Sequence, residues 1–421
     1  MRLIVAESKD ATPLAKLVNA GANQREAIAI TDFIFMSQDV SNSYLVTTGD
    51  GDVLVNAGTT GGGPRHKSIF DKVRTGPLRR IILTQSHEDH FGGVVALREP
   101  DTKTIAQALF PETRAYYRKL VPFFAPRVAK LWAAVLAKGA LGNTHQPQEV
   151  DPDILVDDLL TFELGGRRFE IISTPGGETL DSLCVWMPDE GVVFTGNLFG
   201  PVFLSQPFLC TVRGDKPRSV NRYLRSLERV RALGAEILIT GHGEPVRGAD
   251  RIRGDLDRMH AAVSYVNEAT MAGMNAGKDV HTLMREIRVP DEIAIGEFHG
   301  KVSWNVRSIW EEYAGWFHYD STTSLYAEPQ RNVHADLAEL AGGADKLVQR
   351  ARAKLAAQKP LDAIHLLDIA LHVDPENSAG LQVKLEALKT LEKGHGGTNL
   401  SETMWLRSEM AATGKLLEAI T

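Results

Sequence analysis

Cysteine is almost missing from this chain: Cys184 and Cys210 are the only two in 421 residues. Two cysteines cannot build a disulfide framework, so folding must rest on a packed core and the default compartment is the cytoplasm. Long apolar runs are missing too. No stretch approaches the ~20 residues that a membrane-spanning helix needs, so no membrane contact is expected. The start, Met1-Arg2-Leu3-Ile4-Val5-Ala6-Glu7, puts an acid after four apolar residues, whereas a secretory signal needs a longer run. Basic charge is not in excess: 47 Lys and Arg face 53 Asp and Glu, a net charge of −6 with no polybasic tract, which argues against a nucleic-acid partner. What is present is ordinary for a soluble globular protein, with 43% hydrophobic and 24% charged residues. The length suits two or three domains with ample core.

Residues 1–24 read as a short helical lead-in. Strand signals follow at 28–30, 34–36, 43–46 and 53–55, with Gly49-Asp50-Gly51-Asp52 as hairpin punctuation between the last two. A helix at about 65–75 and a strand at 81–83 then change the pattern from antiparallel ribbons to alternating strand and helix. A further strand fits 103–108, and an insert at about 111–139 is helical, with Pro122 and Pro126 expected to break it into pieces. That insert holds Tyr116, Tyr117, Phe123, Phe124 and Trp132; such spacings mostly mean core or lid packing, and aromatics facing a site would form an apolar wall. Strands return at 160–162, 168–172, 183–186, 192–194 and 236–240, around a helix at about 217–233. Beyond about residue 248 strand signals vanish and helical periodicity runs to the end. Residues 346–392 read as paired helices resembling one tetratricopeptide-type unit, too few copies for a solenoid. The expected domains are therefore 1–250, carrying the site, and 251–421, all helical.

The chemistry is concentrated in Thr84-Gln85-Ser86-His87-Glu88-Asp89-His90-Phe91-Gly92-Gly93, which follows the apolar run Ile81–Leu83. Neutral imidazoles and carboxylates are what a divalent cation such as zinc binds, and a loop at a strand's end can aim them at one point. Three later segments repeat the design of apolar strand, small residue, then polar side chain: Thr174-Pro175-Gly176-Gly177-Glu178, Phe194-Thr195-Gly196-Asn197 and Thr240-Gly241-His242-Gly243. An isolated histidine is more often structural or exposed. Four such strand ends in one domain point to a metal site.

These residues resemble the metallo-β-lactamase superfamily, whose hallmark loop is His-x-His-x-Asp-His followed by glycine. Within it the chain looks most like the alkylsulfatase branch. That likeness is carried by Pro175–Glu178, by Thr211-Val212-Arg213-Gly214, and by the segment from Phe298 to Arg307 leading to Tyr313-Ala314-Gly315-Trp316-Phe317. It covers about residues 28–415. The resemblance implies an α/β fold, an αββα sandwich with two metals at its edge, followed by an all-helical C-terminal dimerisation domain, and hence a homodimer. Carried over position by position, the first metal site is Gln85, His87 and Glu178, the second is Asp89, His90 and His242, and Asn197 takes the bridging position. Two departures stand out. Gln85 replaces a histidine and Asn197 replaces an acid, and a neutral amide is a weaker donor than either. The second site keeps its full set, so one ion is expected to be held firmly there, with the other site weak, empty or filled by a different ion.

The activity implied is hydrolysis of an ester with an apolar tail, a sulfate ester in the first instance, by metal-activated water, with Asp89 as ligand and candidate proton acceptor. Arg213, Lys301, Asn305 and Arg307 are the candidate head-group contacts by family resemblance, and Glu88 is expected to be solvated or to support the ligands. Zinc is the first expectation, with iron or manganese open. Three rival readings stay open: a carboxylic ester, lactone or thioester hydrolase; a mononuclear iron enzyme, which a two-histidine, one-carboxylate set also suits; and a dimeric binding protein that has lost catalysis.

Overall fold

The computed structural model describes residues 12–18, 20–21, 23–136, 149–394 and 397–420. Two compact units divide it: the first holds residues 1–129 and 133–313, the second residues 130–132 and 314–421. The change in composition near residue 250 marks where strands end. Packing divides later, because the helices up to residue 313 sit on the sheet core.

In the first unit, one sheet runs in chain order: β1 (Ile28–Ala29), β2 (Ile34–Ser37), β3 (Ser43–Val46), β4 (Asp52–Val55), β5 (Leu78–Ile82), β6 (Lys103–Gln107) and β7 (Ile154–Val156). It is antiparallel as far as β4 and parallel from β4 to β7. The second sheet also follows the chain: β8 (Leu159–Leu164), β9 (Arg167–Ser173), β10 (Leu183–Met187), β11 (Val192–Gly196), β12 (Ile237–Thr240) and β13 (Val246–Arg247). Here β11 and β12 are the parallel pair. The helices of this unit are α1 (Pro13–Val18), α2 (Gly63–Phe70), α3 (Glu88–Phe91), α4 (Val94–Leu97), α5 (Phe110–Leu136), α6 (Val220–Arg231), α7 (Ala249–Asn275), α8 (Val280–Glu286) and α9 (Val302–Ala314).

Successive side chains of a strand point to opposite faces, and in the central strands both faces are buried. Tyr44, Val46, Val53 and Val55 of one sheet meet Leu183, Val185, Val192 and Phe194 of the other in the inter-sheet core. Their neighbours Leu45, Leu54 and Ile81 turn outward to Ile69, Phe70, Phe91 and Val94 of the helices on that side. Cys184, Trp186, Val193 and Leu238 turn outward on the other side to α6, α7, α8 and α9. Helix, sheet, sheet, helix is therefore the layering, the expected αββα sandwich. Each fully buried Val, Leu or Phe in it contributes about 1.5–3 kcal/mol.

Helix α5 corrects one expectation: it runs unbroken through Pro122 and Pro126. Each proline removes one bond, to the carbonyl four residues earlier. Here Arg118, Pro122 and Pro126 are all exposed, so water satisfies the freed carbonyls and the helix continues. The expected stretch 137–139 lies outside the described residues.

The second unit is helical: α10 (His334–Leu340), α11 (Ala344–Ala356), α12 (Pro360–Val373), α13 (Ser378–Gly394) and α14 (Leu400–Ile420). Leu347, Val348, Ala351, Ala363, Leu367, Ala370 and Val383 form its core, at the helical spacing read from the sequence. Among the described residues no helix is long and apolar enough to cross a membrane.

Candidate metal centre

Strands β4 and β5 run parallel, as do β11 and β12, so their C-terminal ends open at the edge of the sandwich. The loop after β5 is pinned from both sheets. Asn56, just past β4, accepts from the Thr84 backbone N–H and hydroxyl, both at 3.0 Å. The Leu183 N–H of the second sheet donates to the Thr84 carbonyl at 2.9 Å. Gly196 adopts φ +51° with its α-carbon against the Thr84 side chain, a place where any Cβ would collide. The Tyr44 hydroxyl donates to the Thr240 carbonyl at 2.7 Å and the Asn42 N–H to the Gly241 carbonyl at 2.7 Å, which ties the last loop to the first sheet.

These ties bring Asp89, His90 and His242 together, with one ligand atom from each lying within 4.8 Å of the others. Asp89 Oδ2 is 3.5 Å from His90 Nε2 and 3.9 Å from His242 Nε2. His90 is fully buried; its Nδ1 meets the Ser41 hydroxyl at 3.1 Å, which leaves Nε2 facing the cluster without a hydrogen-bond partner. Burial, only partly offset by Asp89, pushes His90 down to about 4 and keeps its imidazole neutral, the form that ligates a metal. A buried ring nitrogen with nothing to bond, beside a carboxylate and a second imidazole, is the arrangement a cation completes.

The other four expected ligands meet one another instead. Glu178, 6% exposed, accepts at Oε2 from Asn197 Nδ2 at 2.6 Å and from Gln85 Nε2 at 3.3 Å. Its Oε1 lies 3.1 Å from His299 Nε2. Burial alone would raise the Glu178 carboxyl, but the contacts with His299 and His87 outweigh it and hold the group well below its ordinary value. His87 Nδ1 meets Gln85 Nε2 at 3.0 Å, and its Nε2 meets the Tyr117 hydroxyl at 3.1 Å and Arg213 Nη2 at 3.3 Å. Asn197 Nδ2 also reaches His242 Nε2 at 3.1 Å.

Of the expected head-group contacts, Arg213 alone reaches this cluster. Its backbone carbonyl is held by Arg127 Nε at 2.8 Å. Asn305 is buried and braces a loop instead, accepting from the Leu209 N–H at 3.4 Å and donating to Gln206 Oε1 at 3.3 Å. Arg307 pairs with Glu311 at 2.9 Å on an exposed face, and Lys301 Nζ sits 5.6 Å from the Trp304 ring centroid. Glu88 supports the loop, accepting from the Thr60 N–H at 2.9 Å and its hydroxyl at 2.8 Å.

Sequence reasoning missed Asp215 and His299 at this site. Asp215 accepts from the Tyr116 hydroxyl, from the Tyr117 hydroxyl at 2.6 Å and from the Lys216 N–H at 2.7 Å, and pairs with Arg218 at 3.5 Å. The only signal for Asp215 was its place two residues after Arg213. The aromatic insert does face the site: Tyr116 stacks on Tyr117 with centroids 4.4 Å apart, and Phe124 lies 5.9 Å from Tyr117. Arg114 of the same helix donates to the Ser86 carbonyl at 3.2 Å, fixing α5 to the ligand loop.

A sandwich of this layering, with imidazoles and a carboxylate converging at its strand ends, defines a metal-binding α/β protein. Residues 36–242 match the metallo-beta-lactamase superfamily and residues 280–409 match the alkyl sulfatase dimerisation family. The chain thus combines a metallo-β-lactamase superfamily domain with an alkyl sulfatase dimerisation domain. It is 25% identical over 371 residues to a linear primary-alkylsulfatase of a Pseudomonas species, covering 82% of this chain and 69% of that one. It is 22% identical to an alkyl/aryl-sulfatase of Saccharomyces cerevisiae, covering 93% of this chain and 64% of the relative. The stereoselective inverting sec-alkylsulfatase Pisa1 of a Pseudomonas species shares its fold, with a TM-score of 0.80 at 20% identity, covering 94% of this chain and 66% of that one. Membership implies a bound divalent metal, and Asp89, His90 and His242 fit one.

Proposed function

We propose that this protein is a metal-dependent hydrolase that cleaves a sulfate ester carrying an apolar tail. The observation that carries the reading is the convergence of Asp89, His90 and His242 within 4.8 Å, with the buried His90 Nε2 left for a cation. Two histidines and a carboxylate suit zinc, and iron suits the same donors. A bound ion would supply Lewis acidity there and lower the pKa of water towards about 7.

The chain's own residues do the rest. Asp89, the most open of the three at 23% side-chain exposure, accepts a proton from the attacking water. Arg213 presents guanidinium N–H groups to an anionic oxygen of the head group, with the Tyr117 hydroxyl beside it. The rings of Tyr116, Tyr117 and Phe124 on α5 give an apolar tail a wall to lie against and exclude water. The relatives named above are sulfatases of alkyl esters, in keeping with that pairing of charged head and apolar tail. The match to a dimerisation family supports a homodimer. The two unpaired cysteines suit the cytoplasm.

The test is sulfate release from dodecyl sulfate. It should vanish on chelation, return with added metal and be lost in Asp89→Ala. Turnover of carboxylic esters or thioesters with no sulfate released would refute the head-group assignment, and an inert, metal-free protein would refute the enzyme.

A further inference from the structure

We infer that a second ion has no place in this chain: its position is taken by a cage of nitrogen atoms around Glu178, closed by His299. The inference rests on the cation proposed at Asp89, His90 and His242. Every group pointed at the Glu178 carboxylate is a nitrogen: Asn197 Nδ2 at 2.6 Å, Gln85 Nε2 at 3.3 Å, His299 Nε2 at 3.1 Å and His87 Nδ1 at 3.7 Å. An amide nitrogen has no lone pair to give a metal. For Gln85 and Asn197 to ligate through oxygen, both amides must turn over. Gln85 Oε1 and Asn197 Oδ1 are buried without hydrogen-bond partners, but bringing them to the carboxylate would replace its two amide N–H contacts with oxygen–oxygen contacts that only an ion could relieve. Asn197 Oδ1 is moreover packed against Gly241, with no room for a Cβ between them.

The fourth wall is built as firmly as the others. Ser205 and Gly296 form a β-bridge, the Ser205 hydroxyl donates to the Gly296 carbonyl at 3.0 Å, and the Phe298 N–H donates back to it at 3.1 Å. Gly300 lies against the Pro207 carbonyl where any Cβ would clash, and its N–H donates to the Gln206 carbonyl at 3.2 Å. The His299 ring, 4% exposed, is set edge-on to Phe208 with centroids 4.8 Å apart. The bridge, the glycine and the ring together deliver one imidazole to Glu178 Oε1. His299 is thus a positioning residue that acts through Glu178. Among the described residues, Asp89, His90 and His242 are the one group of three or more His, Cys, Asp or Glu side chains whose ligand atoms all lie within 4.8 Å of one another.

Metal-stripped protein titrated with Co²⁺, followed by its visible bands and by elemental analysis after dialysis, should hold one ion per chain. That ion should be lost in Asp89→Ala and kept in Glu178→Gln. Asn197→Asp should lower the melting temperature of the metal-free protein by more than about 3 °C, because a second carboxylate then replaces the N–H donor that Glu178 accepts from at 2.6 Å. The double variant Gln85→His, Asn197→Asp should gain a second equivalent. Two tightly held ions in the wild type, or loss of the single ion in Glu178→Gln with the fold intact by circular dichroism, would overturn the cage. So would a folded double variant that still takes one ion. A wild type that takes no ion at all removes the proposed cation itself, and the cage inference with it.

Discussion

Asn56 offers the sharpest quantitative test of how the ligand loop is held. It sits just past β4 with φ +59°, a left-handed conformation that costs most side chains about 1 kcal/mol. It is 1% exposed, and its Oδ1 accepts both the backbone N–H and the hydroxyl of Thr84, while its carbonyl accepts from the Ser43 hydroxyl at 2.7 Å. Asn56→Ala removes both Thr84 contacts, leaving the buried N–H without a partner and the hydroxyl only a 3.5 Å approach to His90 Nδ1, at up to about 1–3 kcal/mol each, and adds the backbone strain. The expected loss is about 3–6 kcal/mol. Asn56→Gly loses the same bonds but not the strain, so it should be less destabilising by about 1 kcal/mol. Urea unfolding of the metal-free proteins, followed by circular dichroism, measures both. Since Thr84 precedes Gln85 and packs on Gly196, both variants should also bind metal more weakly. A glycine variant no more stable than the alanine variant, or losses under about 1 kcal/mol in both, would refute the reasoning.

Burial would raise Asp39, but His66, Thr59 and Arg65 outweigh it and pull its carboxyl down to about 2 from an ordinary 3.8. A depressed carboxylate stabilises the fold above its unfolded value and loses that contribution as pH falls. The stability gap between wild type and Asp39→Asn should therefore shrink by about 1 kcal/mol between about pH 5.5 and about pH 3, as urea midpoints would report. Ser41→Ala removes the group that orients His90 through Nδ1, and metal affinity should fall about 10- to 100-fold with little change in melting temperature. Tyr117→Phe loses the hydroxyl that joins Asp215 to His87; we expect unchanged metal content and a turnover number reduced about 10-fold or more, read in the sulfate-release assay.

The four polar loops at the strand ends could be read from the sequence because each is local: an apolar run, a small residue, then a polar side chain; the two-sheet sandwich followed from the family resemblance those loops carry. Helices α11, α12 and α13 were legible for the same reason, at Leu347, Ala351, Ala363 and Leu367. Strands β7 and β13 were not, since three and two residues carry no periodicity of their own and are strands only through their partners β6 and β12. Prolines at 122 and 126 suggested breaks, yet whether a helix survives proline depends on which face meets water, and that is decided by tertiary packing. Asn305 and Arg307 share a helix with similar chemistry. Only the fold reveals that one is buried under the Gln206 loop and the other lies on an exposed face. His299 and Asp215 were hidden because their meaning lies in partners more than 90 residues away in the chain.

Three carboxylates surround the site, and their partners decide which can take up a proton. Asp215 is bound by two tyrosine hydroxyls, a backbone N–H and Arg218; burial would raise it, but contacts with His87 and Arg218 hold it far below the ordinary range. Glu178 is held low by its nitrogen cage in the same way. A carboxylate stabilised as the anion by several donors is a poor base, because protonation must break those bonds. Asp89 faces only the two imidazoles of His90 and His242, at 3.5 and 3.9 Å, and is the most solvent-open of the three. On the proposed reading base catalysis is therefore assigned to Asp89, while Asp215 and Glu178 anchor what surrounds it: the first fixes Tyr117 beside Arg213, the second fixes the two amides between the sheets.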